Sequence, residues 1–271
     1  MGNLCWVFFI FMGWICAIVY RHELAVIIMK RTTIRLFSQI IFLLLGFLCQ
    51  AETIKTIYFI PGQGSDRRIF DSLSLDTSYK VKYLEYDTLV RKMPLVDLAN
   101  KLSTYIDTTE KFAVVGVSLG GMLSVELSEI LNPEKVIIIS SAKNRKELPF
   151  RYKFQWIIPL FEIFPARIIY WGAKILQPLV EPDRNTNEDT FKSMLYSKKP
   201  KYLKRTARMI IRWKRKTNLK KIVHIHGTND HTIPIRNVED PDYIIENGSH
   251  MMTLTRAKEI SIILNKELSS S

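Results

Sequence analysis

The chain has 271 residues, 47 % hydrophobic and 24 % charged, with a net charge of +13. That length allows one large domain with an insertion, and the lack of a 20 to 50 residue repeat argues against a solenoid or propeller. Cys5, Cys16 and Cys49 all precede Ala51, so the globular part depends on no disulfide, uses no thiol nucleophile and has no cysteine metal site.

Two apolar stretches fill residues 1–51. Leu4 to Tyr20 is a nearly uninterrupted apolar run at the short limit for a membrane span. A second signal has Met29, Lys30 and Arg31, then the apolar core Ile40 to Cys49, then Gln50 and Ala51. A basic start, an apolar core and a small-residue end make a secretory signal peptide beginning at Met29. The expectation is export with cleavage near Ala51, the alternative being a retained membrane anchor.

From Thr53 to Ile60 an apolar β-rich run leads into Pro61-Gly62-Gln63-Gly64-Ser65-Asp66, a loop suited to presenting backbone N–H groups to a ligand. No Gly-Lys-Ser/Thr follows, which argues against a phosphate loop. Arg67 to Leu73 can begin a helix, Tyr79 to Tyr86 alternates as a strand, and Pro94 to Ile106 has helical spacing through Leu95, Leu98, Ala99 and Leu102.

Phe112 to Val117 reads as a strand buried on both faces. It stops at Gly116-Val117-Ser118-Leu119-Gly120, and a helical pattern follows. Strand, G-x-S-x-G and helix form a nucleophile elbow, in which a strained serine projects its hydroxyl above the sheet. Gly116 and Gly120 lack the side chains that would collide there. Lys135 to Ser140 is a further buried strand, and this alternation requires a parallel sheet with helices on both faces.

No strand is expected from Arg145 to Leu219. Phe150 to Val180 reads as short helices punctuated by Pro159, Pro165 and Pro178, with Trp156, Phe161, Phe164, Tyr170 and Trp171 forming the insert's own core in preference to a substrate box. Pro200 to Lys216 reads as one amphipathic helix. Thr190 to Asn229 holds no Asp or Glu, while Lys192 to Lys221 holds thirteen Lys and Arg. The local positive field favours an anionic substrate or an anionic lipid surface; a solvated helix face that aids solubility is the other reading.

The sheet resumes at Lys221 to His226, followed by Gly227-Thr228-Asn229-Asp230. Asp242 to Glu246 is a last short strand before Asn247-Gly248-Ser249-His250, and Thr255 to Leu268 is a terminal amphipathic helix packing through Ala257, Ile260, Ile263 and Leu264. Ser118, Asp230 and His250 each follow a predicted strand's carboxyl end, the edge where open α/β sheets bind ligands. Serine needs an imidazole to take its proton, and the imidazole needs a carboxylate to fix its tautomer. Asp242 and Glu246 are the alternative acids. His224, His226 and His231 have no carboxylate or cysteine partner in a metal-ligand pattern, so no metal is expected.

These four motifs, Gly-Val-Ser-Leu-Gly, His-Gly-Thr-Asn-Asp, Gly-Ser-His and Pro-Gly-Gln-Gly, resemble those of the α/β-hydrolase family in their order, over Glu52 to Leu268. The resemblance implies a mostly parallel sheet flanked by helices, a core of 52–144 and 220–271, and a helical lid at 145–219. It implies Ser118 as nucleophile, His250 as base, Asp230 as orienting acid, and an oxyanion hole from the N–H groups of Leu119 and Gln63. The family usually begins with two more strands, so a reduced sheet of about six is expected. The function implied is a serine hydrolase, foremost a carboxylic ester hydrolase forming an acyl-enzyme without a cofactor. Its substrate would be a small ester or acyl compound; the aromatic, basic insertion adds the expectation of an anionic group on it, the N-terminal segment makes a membrane the other expected partner, and nucleic acid is not expected among its partners. The alternatives are a thioesterase, lipase or amidase on the same fold, or a non-catalytic membrane-associated binding protein.

Overall fold

The computed structural model divides into two units, Met1–Glu52 and Thr53–Ser271. It describes residues 53–180 and 187–270, with a few helical positions before 52, Trp14 and Ser38 among them. The signal-peptide and anchor readings fall outside the described residues. Among the described residues, no helix is long and apolar enough to cross a membrane.

Six parallel strands form one sheet: β1 (Thr56–Ile60), β2 (Lys80–Tyr83), β3 (Phe112–Val117), β4 (Lys135–Ile139), β5 (Val223–Gly227) and β6 (Tyr243–Ile245), in the order β2-β1-β3-β4-β5-β6. The alternation of side chains along a strand explains why the inner runs are apolar throughout. Tyr58 and Ile60 of β1, Val114 of β3 and Ile138 of β4 enter one core, while Phe59, Val115 and Ile137 enter the other. Helices α1 (Leu95–Ser103) and α2 (Leu119–Ile130) cover the first face. On the second, α8 (Met252–Thr255) and α9 (Ala257–Ser269) bury Met252, Ile260, Leu264 and Leu268.

The second strand is shorter than its sequence pattern predicts. Its paired residues, Lys80 to Tyr83, are all exposed, because β2 is the sheet edge, where lysines discourage further pairing. Chain order reverses between β1 and β3, so the loops leaving those two strands flank a crevice at their carboxyl ends.

Between β4 and β5 lie α3 (Phe150–Ile157), α4 (Leu160–Ile163), α5 (Ala166–Val180), α6 (Glu188–Ser197) and α7 (Pro200–Ile211). Two expectations need correction here. The amphipathic helix ends at Ile211, not Lys216, and Trp213 is buried beyond it because its indole N–H donates to Glu126 Oε1 at 2.7 Å. Of the five aromatics taken as the insert's core, Phe161 is buried, whereas Phe164 and Trp171 are exposed. Trp156 lies under the guanidinium groups of Arg145 and Arg212.

Candidate active site

Ser118 joins β3 to α2 with φ 53° and ψ −119°, a left-handed backbone that a residue with a Cβ adopts only under compulsion. The compulsion is local packing. A Cβ on Gly116 would lie 2.2 Å from Gly120 O, and one on Gly120 would lie 2.0 Å from Ile60 O. Glycine at both positions therefore lets α2 start directly against β1 and β3. The turn is pinned further by Ser118 N–H donating to Ile139 O at 3.0 Å and by Ser141 Oγ donating to Ser118 O at 2.6 Å.

His250 Nε2 lies 2.8 Å from Ser118 Oγ, and His250 Nδ1 lies 2.8 Å from Asp230 Oδ2. The loops that carry the two partners are tied together, since Thr228 N–H donates to Ile245 O and Asn229 N–H to Gly248 O, both at 3.0 Å. Asp230 Oδ1 accepts the N–H groups of Thr232 and Ile233, each at 2.8 Å, which fixes the plane of the carboxylate. Burial alone would raise the Asp230 carboxyl. The adjacent His250, His226 and the Ile233 N–H outweigh it and hold the group below the ordinary carboxylate value. The alternative acids are engaged elsewhere: Asp242 Oδ2 accepts His224 N–H at 2.8 Å, and Glu246 faces Thr228.

On the other side of the serine stands the loop after β1. A Cβ on Gly62 would lie 3.1 Å from Ser118 Cβ, so the loop backbone passes directly beside the hydroxyl-bearing residue. Tyr86 Oη donates to Pro61 O at 2.7 Å and Ser65 Oγ to Gly62 O at 3.0 Å. Gln63 Nε2 donates to Thr206 Oγ1 at 2.9 Å and Leu203 O at 3.1 Å, tying the loop to α7. Leu119 is the first residue of α2, so its N–H belongs to the turn that a helix leaves without an internal acceptor, at the positive end of the dipole.

A cavity of about 530 Å³ opens over Ser118. Its walls are mostly apolar, with Met122, Tyr152, Ile169, Phe191 and Leu203 among them, and Arg151 adds a cation. Arg151 Nη2 donates to Thr232 O, beside the acid loop.

Sequence reasoning missed two arrangements. His226 Nε2 faces Ile233 O at 2.8 Å, so it carries the proton, and it also lies 3.5 Å from Asp230 Oδ2. His226 Nδ1 then accepts from His224 Nε2 at 3.1 Å, the two rings sharing one face of β5. The i, i+2 spacing of the histidines was visible, but nothing in it showed which way that face turned. The Gln63 to Thr206 tie joins residues 143 apart and had no local signal. Among the described residues, no group of three or more His, Cys, Asp or Glu could hold a metal ion.

No protein-family model matches the chain, and no curated protein matches it in sequence. Solved structures do match. A thermophilic esterase from Thermogutta terrifontis aligns with TM-score 0.61 and 14 % identity, over 80 % of this chain and 90 % of its own. The enol-lactonase from Burkholderia xenovorans aligns with TM-score 0.62 and 12 % identity, over 81 % and 92 %. A type II thioesterase of the yersiniabactin pathway aligns with TM-score 0.54 and 13 % identity, over 80 % and 94 %. With its parallel sheet, its serine elbow and this breadth of structural likeness, the chain has the α/β-hydrolase fold.

Proposed function

We propose that the protein is a serine hydrolase, foremost a carboxylic ester hydrolase, in which Ser118 is the nucleophile, His250 the general base and Asp230 the orienting acid. The reading rests on the unbroken Ser118, His250, Asp230 hydrogen-bond chain, with its serine in a strained turn at the mouth of an apolar cavity. Ser118 Oγ attacks the ester carbonyl as His250 Nε2 takes its proton. The new oxyanion is met by the N–H groups of Leu119 and Gln63, each such donor lowering the barrier by about 3 kcal/mol. Collapse breaks the bond to the alcohol, which leaves with the proton from His250. Water, deprotonated in turn by His250, then releases the acid and restores Ser118.

The helices over the strand ends act as a lid, and the cavity's apolar walls suit an acyl group, with Arg151 facing an anionic portion of the substrate. No step needs a cofactor. Esterases and a thioesterase stand together among the structural relatives, so a thioester is the second substrate class. Labelling with a fluorophosphonate probe is expected in the parent and absent in Ser118→Ala; an unlabelled parent would favour a non-catalytic binding protein. Anionic and neutral esters of one acyl length, compared with Arg151→Ala, test the anion preference. We further propose export through the segment beginning at Met29, which is supported by its basic start and apolar core. Mass spectrometry of the mature N-terminus tests it, and a peptide from Leu4 to Tyr20 in the purified protein would refute cleavage.

A further inference from the structure

The insertion departs from ordinary surface chemistry. Ten of the twenty-two exposed large apolar side chains among the described residues fall between Phe150 and Ile175. In α3, Phe150, Phe154 and Ile157 recur at i, i+4 and i+7, with Phe150 75 % and Ile157 78 % exposed. In α5, Ile168, Trp171 and Ile175 recur at i, i+3 and i+7, with Trp171 60 % and Ile175 71 % exposed. This is one-sided periodicity, and a helix ordinarily turns such a stripe toward a core. Here the inward side is already occupied, since Tyr152 of α3 and Ile169 and Ala173 of α5 line the Ser118 cavity. Both helices are thus apolar inside and outside, which marks the outer stripes as a contact surface.

Charge identifies the occupant. Between Phe150 and Ile175, apart from Arg151 in the cavity wall, stand Lys153, Arg167 and Lys174 against the single acid Glu162, a net charge of +2. Glu162 is itself paired with Arg208. The neighbouring α7 adds Lys204, whose Nζ donates to Glu162 O and Phe164 O at the end of α4. A second copy would bring the same positive face. Residues 1–52 are apolar but also basic, with Arg21, Lys30, Arg31 and Arg35 against Glu23 and Glu52. An anionic lipid surface complements both properties, taking apolar side chains below its headgroups and basic ones at them.

We propose that the outer faces of α3 and α5 dock on an anionic membrane, leaving the inner faces over the Ser118 cavity. The docking stands whether or not Ser118 is a nucleophile. The full chain is to be followed by hydrogen exchange in the presence of vesicles of phosphatidylcholine alone and of phosphatidylcholine with phosphatidylglycerol. Residues 1–52 are themselves basic, so their contribution is separated by the triple variant below, which leaves them intact. Peptides spanning 150–175 are expected to exchange about tenfold more slowly with anionic vesicles only, and high salt should reverse the effect. A Phe150→Ser, Ile157→Ser, Trp171→Ser variant should lose that protection while keeping its thermal melt and its Ser118 labelling. Equal exchange in both arms would overturn the proposal. So would protection that grows with protein concentration without lipid, the mark of a second copy. Protection already complete in dilute lipid-free protein would assign the face to residues 1–52 and refute membrane docking as well.

Discussion

His250 Nε2 sits 2.8 Å from Ser118 Oγ, across 132 residues of chain, while the serine holds φ 53°. The strain at residue 118 is therefore kept where its hydroxyl meets an imidazole. Ser118→Gly removes both. Unfolding in urea should show the variant more stable by about 1 kcal/mol, because glycine adopts this backbone without penalty, and ester hydrolysis should be lost.

Asp230→Asn tests the orienting role. The carbonyl oxygen of asparagine can still accept the Thr232 and Ile233 N–H groups, so the melt should move little. The amide no longer selects the imidazole tautomer that accepts from Ser118, and kcat should fall by about 10⁴.

Gln63 is tied to Thr206 and Leu203, so the loop beside Ser118 is held by the insertion as well as by the sheet. Gln63→Ala should lower kcat by up to about thirtyfold, from about 1 kcal/mol for each of the two bonds lost, with KM little changed. Thr206→Val should shift kcat in the same direction, and steady-state kinetics on a soluble ester reads both.

Burial, reinforced by the neighbouring His226 and Lys143, holds the His224 imidazole well below the ordinary histidine value. Burial also lowers His226, against the opposing pull of Asp230 and the Ile233 carbonyl. Both rings are neutral when folded, whereas the unfolded chain protonates them near pH 6.5. Their contribution is complete above about pH 6.5 and is lost as the pH falls below it, by up to about 1.4 kcal/mol per pH unit for each ring. Denaturation at pH 7.5 and pH 5.5 should show this fall, and His224→Gln should make it shallower.

Glu126 is a buried carboxylate that accepts Trp213 Nε1 at 2.7 Å, Arg215 Nε at 2.9 Å and Arg215 Nη2 at 2.8 Å. It fastens the end of the insertion to α2. Glu126→Ala strands the buried Trp213 indole N–H and leaves Arg215 with Glu129 and Thr217 O, and it should destabilise the chain by about 2 kcal/mol, measured by urea unfolding.

Much of this was legible in local sequence. The apolar runs at Thr56 to Ile60, Phe112 to Val117 and Lys135 to Ile139 marked strands buried on both faces, and glycines two residues either side of Ser118 marked the turn. These depend on neighbours along the chain, and so they survive reading one segment at a time. Asp230 could not be separated from Asp242 or Glu246 in that way, because the choice rests on which carboxylate meets His250 across the crevice. The same holds for the aromatics of the insertion. Their stretch reads as short helices between prolines, but a helix apolar on two sides does not reveal which side faces the cavity and which faces outward. That was decided when α3 and α5 laid Tyr152, Ile169 and Ala173 over Ser118 and left Phe150, Ile157 and Trp171 outside. Local spacing thus determined the elements and the turn that strains the serine, while the packing of distant segments, whose contacts leave no periodic trace in the chain, decided their partners.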